Sequence, residues 1–131
     1  MTKTLPVYLL LCFGALLIAG CSESPGRHVD LGQWYYDKGL VDDAILEFKE
    51  AIRLAPADPR SMNRDEVELV ARAHRGLAVA YAGKQWYEMA LAEARKTFEM
   101  QPTPENYELQ ELIRRRGDLE ALPQSSGAQR P

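Results

Sequence analysis

The stretch that decides the fold is LGQWYYDKGLVDDAILEFKEAIRLAP, residues 31–56. Its first half has apolar side chains at helical spacing and ends at Gly39, and its second half ends at Pro56. The second half carries one apolar stripe, formed by Ala44, Ile45, Phe48, Ala51, Ile52 and Ala55. The spacing therefore predicts two helices joined by a tight turn. An αα-hairpin of this kind leaves one apolar face exposed and needs a neighbour to cover it.

A second stretch, AHRGLAVAYAGKQWYEMALAEARKTFEMQP at residues 73–102, repeats this pattern 46 residues later. The residues at corresponding positions are Leu77, Ala78, Tyr81, Ala90 and Pro102. The copy differs where Ala94 stands in place of the aromatic Phe48 and Thr97 in place of Ala51. The chain therefore contains two related helical hairpins.

The first stretch resembles the tetratricopeptide repeat, a helical hairpin of about 34 residues. The matching residues are Leu31, Gly32, Tyr35, Gly39, Ala44, Phe48, Ala51 and Pro56. The resemblance implies an all-α fold, a short solenoid of αα-hairpin repeats with two repeats and a capping helix. The repeat-like domain is expected at 28–122, with repeat one at about 25–58 and repeat two at about 71–104. A generic helical hairpin is the alternative interpretation.

Twelve extra residues, ADPRSMNRDEVE at 57–68, separate the two copies beyond the usual repeat length. Asn63 and Glu66 have the spacing of a capping box, which predicts that the first helix of repeat two begins early. After Pro102, the pair Thr103 and Pro104 predicts a further helix start. The capping helix is expected at about 105–122, with an apolar side formed by Leu109, Leu112 and Ile113.

Residues 1–20 have Lys3 followed by the apolar run VYLLLCFGALLIAG, which is typical of a secretory leader and short for a membrane span. Ile18-Ala19-Gly20-Cys21 resembles the lipobox of bacterial lipoproteins. That resemblance implies a signal peptide at 1–20, acyl chains such as palmitate on Cys21, a lipidated tether at 21–27 and, because Ser22 follows the cysteine, the outer membrane facing the periplasm. An ordinary cleaved leader with an incidental cysteine is the alternative. Residues 123–131 are expected to be disordered.

The composition argues against several functions. The 131-residue chain has a net charge of −3, so nucleic-acid binding is not expected. Cys12 and Cys21 form no spaced pair, and His28 and His74 come with no metal-ligand spacing, so His74 is interpreted as a structural residue. We find no motif for catalysis or phosphate binding. The sequence therefore predicts a protein that is not an enzyme and has no cofactor, metal or small-molecule substrate.

The resemblance to tetratricopeptide repeats also implies a concave groove lined by the first helix of each repeat. By position, the groove residues are Val29, Gln33, Tyr36, Asp37, Arg72, Arg75, Val79 and Ala82, and the third helix adds Asn106, Leu109 and Ile113. Large aromatic side chains near the repeat edges, Trp34, Trp86 and Tyr87, are a second candidate contact surface.

Together these features predict a membrane-anchored adaptor or scaffold that binds a protein partner in the bacterial cell envelope. The groove is expected to accept a peptide with apolar and acidic residues. An assembly factor, resembling pilotins or accessory lipoproteins of outer-membrane-protein insertion, is one alternative. A stabilising subunit of an envelope enzyme complex is another. Self-association, or completion of the array on a partner, is also expected, because two repeats are fewer than such arrays usually need.

Overall fold

The computed structural model describes residues 23–122, which form five α-helices and no strand. The helices are α1 (Pro25–Asp37), α2 (Val41–Leu54), α3 (Arg64–Gly83), α4 (Tyr87–Met100) and α5 (Pro104–Ala121), with a short 3-10 turn at Pro59–Ser61. The prediction of an all-α fold is confirmed. None of these helices combines the length and the apolar character needed to cross a bilayer. The predicted signal peptide, Cys21 and the 123–131 tail lie outside the described residues.

Three helices begin at side-chain caps, two of which the sequence predicts. The Oδ1 atom of Asn63 accepts a hydrogen bond from the amide of Glu66 at 3.0 Å, and the Glu66 carboxylate accepts one from the amide of Asn63 at 2.8 Å. This capping box starts α3 at Arg64, which confirms the early start predicted for this helix. Ser24 caps α1, and Thr103 caps α5, each followed by a proline at the first helical position.

The two hairpins turn in the same way. Gly39 and Gln85, which are 46 residues apart, both have left-handed backbones, with φ of 76° and 62°. The amides that follow them bond back to equivalent carbonyls, Leu40 to Tyr35 and Trp86 to Tyr81, each at 2.9 Å. The first turn has glycine at this position, the residue that adopts the left-handed conformation most easily, whereas the second turn has Gln85.

Neighbouring helices pack in sequence. The helices α1 and α2 form one hairpin, α3 and α4 form the other, α2 packs on α3, and α5 packs on α4. Beyond these consecutive pairs, α1 also contacts α3, so the first helices of the two hairpins lie side by side. One core runs through the helices, and its buried members include Ile45, Phe48, Leu77, Tyr81 and Ile113.

The ring of Phe48 fills the seam between the hairpins. It lies against Gly32 of α1 and Gly76 of α3, where a Cβ atom would come within 2.8 Å and 2.5 Å of the ring. Phe48 itself is 2% exposed. Two glycines on neighbouring helices therefore make room for one large side chain, and the helices approach closely around it.

The capping helix α5 differs in one respect from the expectation. Ile113 is buried and Leu109 is half-buried against the core, but Leu112 is 58% exposed. Adjacent residues of a helix are rotated by about 100° around its axis, so Leu112 turns toward solvent when Ile113 points into the core. The predicted apolar side of α5 therefore consists of Leu109 and Ile113 without Leu112.

Candidate functional site

The helices α1 and α3 border a groove of about 250 Å³. Its lining residues are Val29, Gln33, Tyr36, Phe48, Arg72, Arg75, Gly76 and Val79. Six of them belong to the set expected from the repeat resemblance: Val29, Gln33, Tyr36, Arg72, Arg75 and Val79. The contact between α1 and α3 brings these side chains together across 36 to 50 residues of sequence.

The groove combines an apolar base with polar walls. Val29 is buried, Val79 is half-buried, and the Phe48 ring next to Gly76 closes the bottom. Tyr36 is half-buried and adds a hydroxyl group to an apolar ring. The Gln33 amide donates a hydrogen bond from Nε2 to Oδ1 of Asp37 at 2.8 Å. A ligand with apolar side chains and hydrogen-bonding backbone groups would find partners for both here.

Two arginines of α3 supply the positive charge of the groove. Arg72 Nη2 lies 3.1 Å from Oδ1 of Asp30, and both side chains are more than half exposed, so this ion pair stabilises the fold little. Arg75 makes no ion pair with the other residues of 23–122. The pKa of Glu105 is lowered by its own backbone amide, by the Thr103 hydroxyl and by the nearby Arg75 charge. Because Arg72 is paired with Asp30 and Arg75 forms no ion pair within these residues, the Arg75 guanidinium is the more available of the two to a ligand.

Five of the expected groove residues do not line this groove. Ala82 is half-buried and packs against the core. Asp37 is exposed at the end of α1 and is bound by Gln33. Asn106 is buried, and its Nδ2 donates a hydrogen bond to the Gln101 carbonyl at 2.8 Å. This bond ties the loop before α5 to the helix. Ile113 is buried in the core, and Leu109 lines a separate hollow of about 630 Å³. The helix α5 packs on α4 and borders this second hollow rather than the one between α1 and α3. Arg75 borders both hollows.

The three predicted edge aromatics have different environments. Trp34 is 52% exposed and Trp86 44% exposed, and a lysine ammonium lies over each ring, Lys38 at 5.8 Å and Lys84 at 4.5 Å from the centroid. Tyr87 is half-buried and packs against the core, close to Gly117 of α5. Trp34 and Trp86 are thus accessible, whereas Tyr87 mainly joins α4 to α5.

A duplicated histidine–glutamate pair was not predicted from the sequence. His28 Nδ1 lies 2.6 Å from Oε2 of Glu47, and His74 Nδ1 lies 2.6 Å from Oε2 of Glu93. Each pair joins the first helix of a hairpin to the second, and the two pairs are 46 residues apart. The equal spacing was a signal in the sequence that could have found them. His74 is 8% exposed on the packing side of α3, which agrees with a structural histidine.

Burial and hydrogen bonds have opposite effects on Glu93. Burial raises the pKa of this carboxyl, whereas hydrogen bonds from His74 and Lys96 lower it, and the net effect is a lowered pKa. Lys96 Nζ lies 3.0 Å from Oε1 of Glu93. The carboxylate is therefore ionised at neutral pH. His74 links it to α3, whereas Lys96 binds it from the same helix, α4.

One group of possible metal ligands occurs among residues 23–122. Glu23, His28 and Glu50 each place a ligand atom within 4.8 Å of the others. The residues come from the segment before α1, from α1 and from α2, so their sequence spacing gives no motif. The sequence expectation of no metal site did not consider this group.

The chain was also compared with known proteins. No family model, curated protein or solved structure matches it.

Proposed function

We propose that this chain is a tetratricopeptide-like adaptor that binds a protein partner near a bacterial membrane. Three features support a repeat of that kind: the two hairpins turn alike, their His–Glu pairs coincide at an offset of 46 residues, and their first helices lie side by side. Arrays of helical hairpins use the surface between successive first helices to bind ligands.

The observation that carries the proposed function is the groove between α1 and α3. It unites Gln33 and Tyr36 of one helix with Arg72 and Arg75 of the next, above an apolar base. Polar side chains that only face solvent, without binding a ligand, have no need of an apolar hollow beside them. The closeness of polar donors to buried apolar surface is instead typical of sites that orient a ligand.

The chemistry of the groove indicates the type of ligand. A volume of about 250 Å³ accommodates a few side chains of an extended or helical segment rather than a folded domain. Arg75 and Arg72 favour a carboxylate, which they can bind through charge-assisted hydrogen bonds. The partner therefore presents a short segment with apolar and acidic side chains.

The anchoring part of the proposal rests on the sequence. Acylation of Cys21 would hold the domain at the membrane, since several acyl chains anchor a protein stably. Residues 22–24 separate that cysteine from the first residue of α1, Pro25, so α1 begins inside the 21–27 span expected for the tether. The groove would then meet partners that are themselves close to the lipid surface. Outer-membrane localisation on the periplasmic side belongs to the same proposal.

Site-specific photo-crosslinking in a bacterial cell that makes the full chain tests the groove. A photoreactive amino acid replaces Tyr36 in one strain and Trp86 in another, and the crosslinked products are identified by mass spectrometry. We expect a distinct envelope protein to be captured at Tyr36. Trp86 is the matched control because it is an accessible aromatic outside the groove.

The Trp86 probe also tests self-association. Capture of a second copy of the chain at Trp86, together with no capture at Tyr36, would contradict the adaptor proposal. The repeats would then chiefly build an oligomer through exposed aromatics such as Trp34 and Trp86.

A further inference from the structure

We propose that Glu23, His28 and Glu50 bind a Zn²⁺ ion, with Glu47 orienting the histidine. The site joins the segment before α1 to both helices of the first hairpin. It is independent of the groove and of the adaptor function, since none of these residues lines the groove between α1 and α3.

The environment of His28 is the first observation for this site. Its Nδ1 is engaged by Glu47 at 2.6 Å, whereas its Nε2 is buried and has no hydrogen-bond partner among residues 23–122. A buried polar atom without a partner is rare in folded proteins. Metal-binding histidines commonly donate one ring N–H to a carboxylate and bind the metal through the other nitrogen. The Glu47–His28 pair has this arrangement.

The two further carboxylates are the second observation. Glu23 and Glu50 bring an oxygen within 4.8 Å of a His28 ring nitrogen and of each other. Ligands of a tetrahedral Zn²⁺ ion are about 3.4 Å apart, given metal–ligand bonds of about 2.0–2.2 Å. Binding would require the flexible glutamate side chains to rotate toward the imidazole, and water would complete the coordination.

A metal ion has to compete with Arg53 for Glu50. The Arg53 guanidinium donates hydrogen bonds to both carboxylate oxygens of Glu50, and these bonds lower the pKa of Glu50. The arginine side chain is 63% exposed, and exposed ion pairs of this kind contribute little to stability. Glu50 can therefore exchange Arg53 for a metal ion without disturbing the packing.

The second hairpin provides an internal comparison. His74 has the same carboxylate partner at the same distance, but Leu69 and Lys96 occupy the positions that correspond to Glu23 and Glu50. Lys96 binds Glu93 and brings a positive charge to that place. In repeat two the histidine–glutamate pair stands without further carboxylates and serves packing. In repeat one, two more carboxylates lie beside the histidine. The donor set of imidazole and carboxylate suits Zn²⁺.

The test is Zn²⁺ titration of the full-length chain, purified in detergent and freed of metal, followed by calorimetry and by competition with a chromogenic chelator. We expect one Zn²⁺ per chain. Glu23→Gln combined with Glu50→Gln, and separately His28→Gln, should weaken binding at least tenfold. His74→Gln is the matched control and should leave the affinity unchanged.

Nitrogen NMR of the histidine rings gives a readout at the ligand atom. Zn²⁺ should shift Nε2 of His28 and leave the ring nitrogens of His74 unchanged. The Glu23→Gln and Glu50→Gln variant retains the His28–Glu47 pair, so it stays informative if His28→Gln fails to fold. Unchanged binding in that double variant, an equal loss in His74→Gln, or no binding by the parent chain would overturn the proposal.

Discussion

Gly76 of α3 lies against the ring of Phe48 of α2, and a Cβ atom at this glycine would be 2.5 Å from Cζ of the phenylalanine. The contact crosses from one hairpin to the other and forms the base of the groove. The absence of a side chain at one position thus determines both how closely the hairpins pack and how deep the groove is.

Gly76→Ala should destabilise the chain although alanine is the better helix former. In an unhindered helix this change stabilises by roughly 0.5–1 kcal/mol. Here the added methyl group overpacks the Phe48 ring, which is buried among core side chains, and overpacking typically costs about 1–3 kcal/mol. Urea unfolding followed by circular dichroism measures the difference in free energy of unfolding.

Gly83→Ala is the control for that experiment because it lies in the same helix and its added Cβ would meet only the Tyr36 hydroxyl at 3.9 Å. It should be neutral or slightly stabilising. Combining Gly76→Ala with Phe48→Leu should recover part of the loss, since the smaller side chain gives the methyl group room. Equal effects of alanine at Gly76 and Gly83 would refute the packing argument.

The hairpins could be predicted from Leu31–Pro56 because helical spacing, Gly39 and Pro56 all act locally. The early start of α3 also followed from a local signal, the Asn63–Glu66 capping box. Spacing within one segment could not place Asn106 and Ile113, because their burial depends on how α5 packs on α4. The cluster of Glu23, His28 and Glu50 likewise arises only when α1 folds against α2.

Gln85→Gly should stabilise the chain. Gln85 has a φ of 62°, a left-handed conformation that costs a residue with a side chain roughly 1–2 kcal/mol, and glycine avoids that cost. The greater flexibility of glycine in the unfolded chain offsets part of the gain, so we expect about 0.5–1 kcal/mol in urea unfolding. Gly39→Ala, at the equivalent turn, should destabilise. A loss of stability in Gln85→Gly would contradict this interpretation.

Glu93 should make stability depend on acid pH. Its pKa is lowered in the folded state from a value of 4.5, so its stabilising contribution is present above pH 4.5 and is lost as the pH falls through the folded pKa. The Glu93→Gln variant has no carboxyl group to titrate at this position. The difference in free energy of unfolding between the parent chain and the variant, called the gap below, should therefore become smaller in acid. Denaturant unfolding over a pH series measures the gap.

Glu99→Gln serves as the control for the pH series because Glu99 is exposed on the same helix. Its gap to the parent chain should stay small throughout. A gap for Glu93→Gln that is independent of pH would show that the carboxylate charge contributes nothing to the His74 contact.

Cys21→Ser should abolish membrane attachment. The serine hydroxyl cannot replace the thiol in lipidation, so cells should contain either an uncut precursor or a released domain. Fractionation of membranes, with intact mass spectrometry of the product, distinguishes these results. Cys12→Ser is the matched control, because Cys12 lies inside the apolar run and should not affect processing. Normal processing and unchanged partitioning of Cys21→Ser would disprove lipidation at this residue.

The central claim is that the groove between α1 and α3 recruits a partner through Arg75. The most direct measurement is the yield of photo-crosslinks from a probe at Tyr36, compared between the parent chain and Arg75→Glu. Arg75 is exposed and forms no salt bridge within residues 23–122, so its replacement acts on stability only through the nearby Glu105 charge, and urea unfolding of both chains measures that effect. The account predicts that a single envelope protein is captured by the parent chain and lost in Arg75→Glu. Equal capture by both, at equal stability, would contradict it.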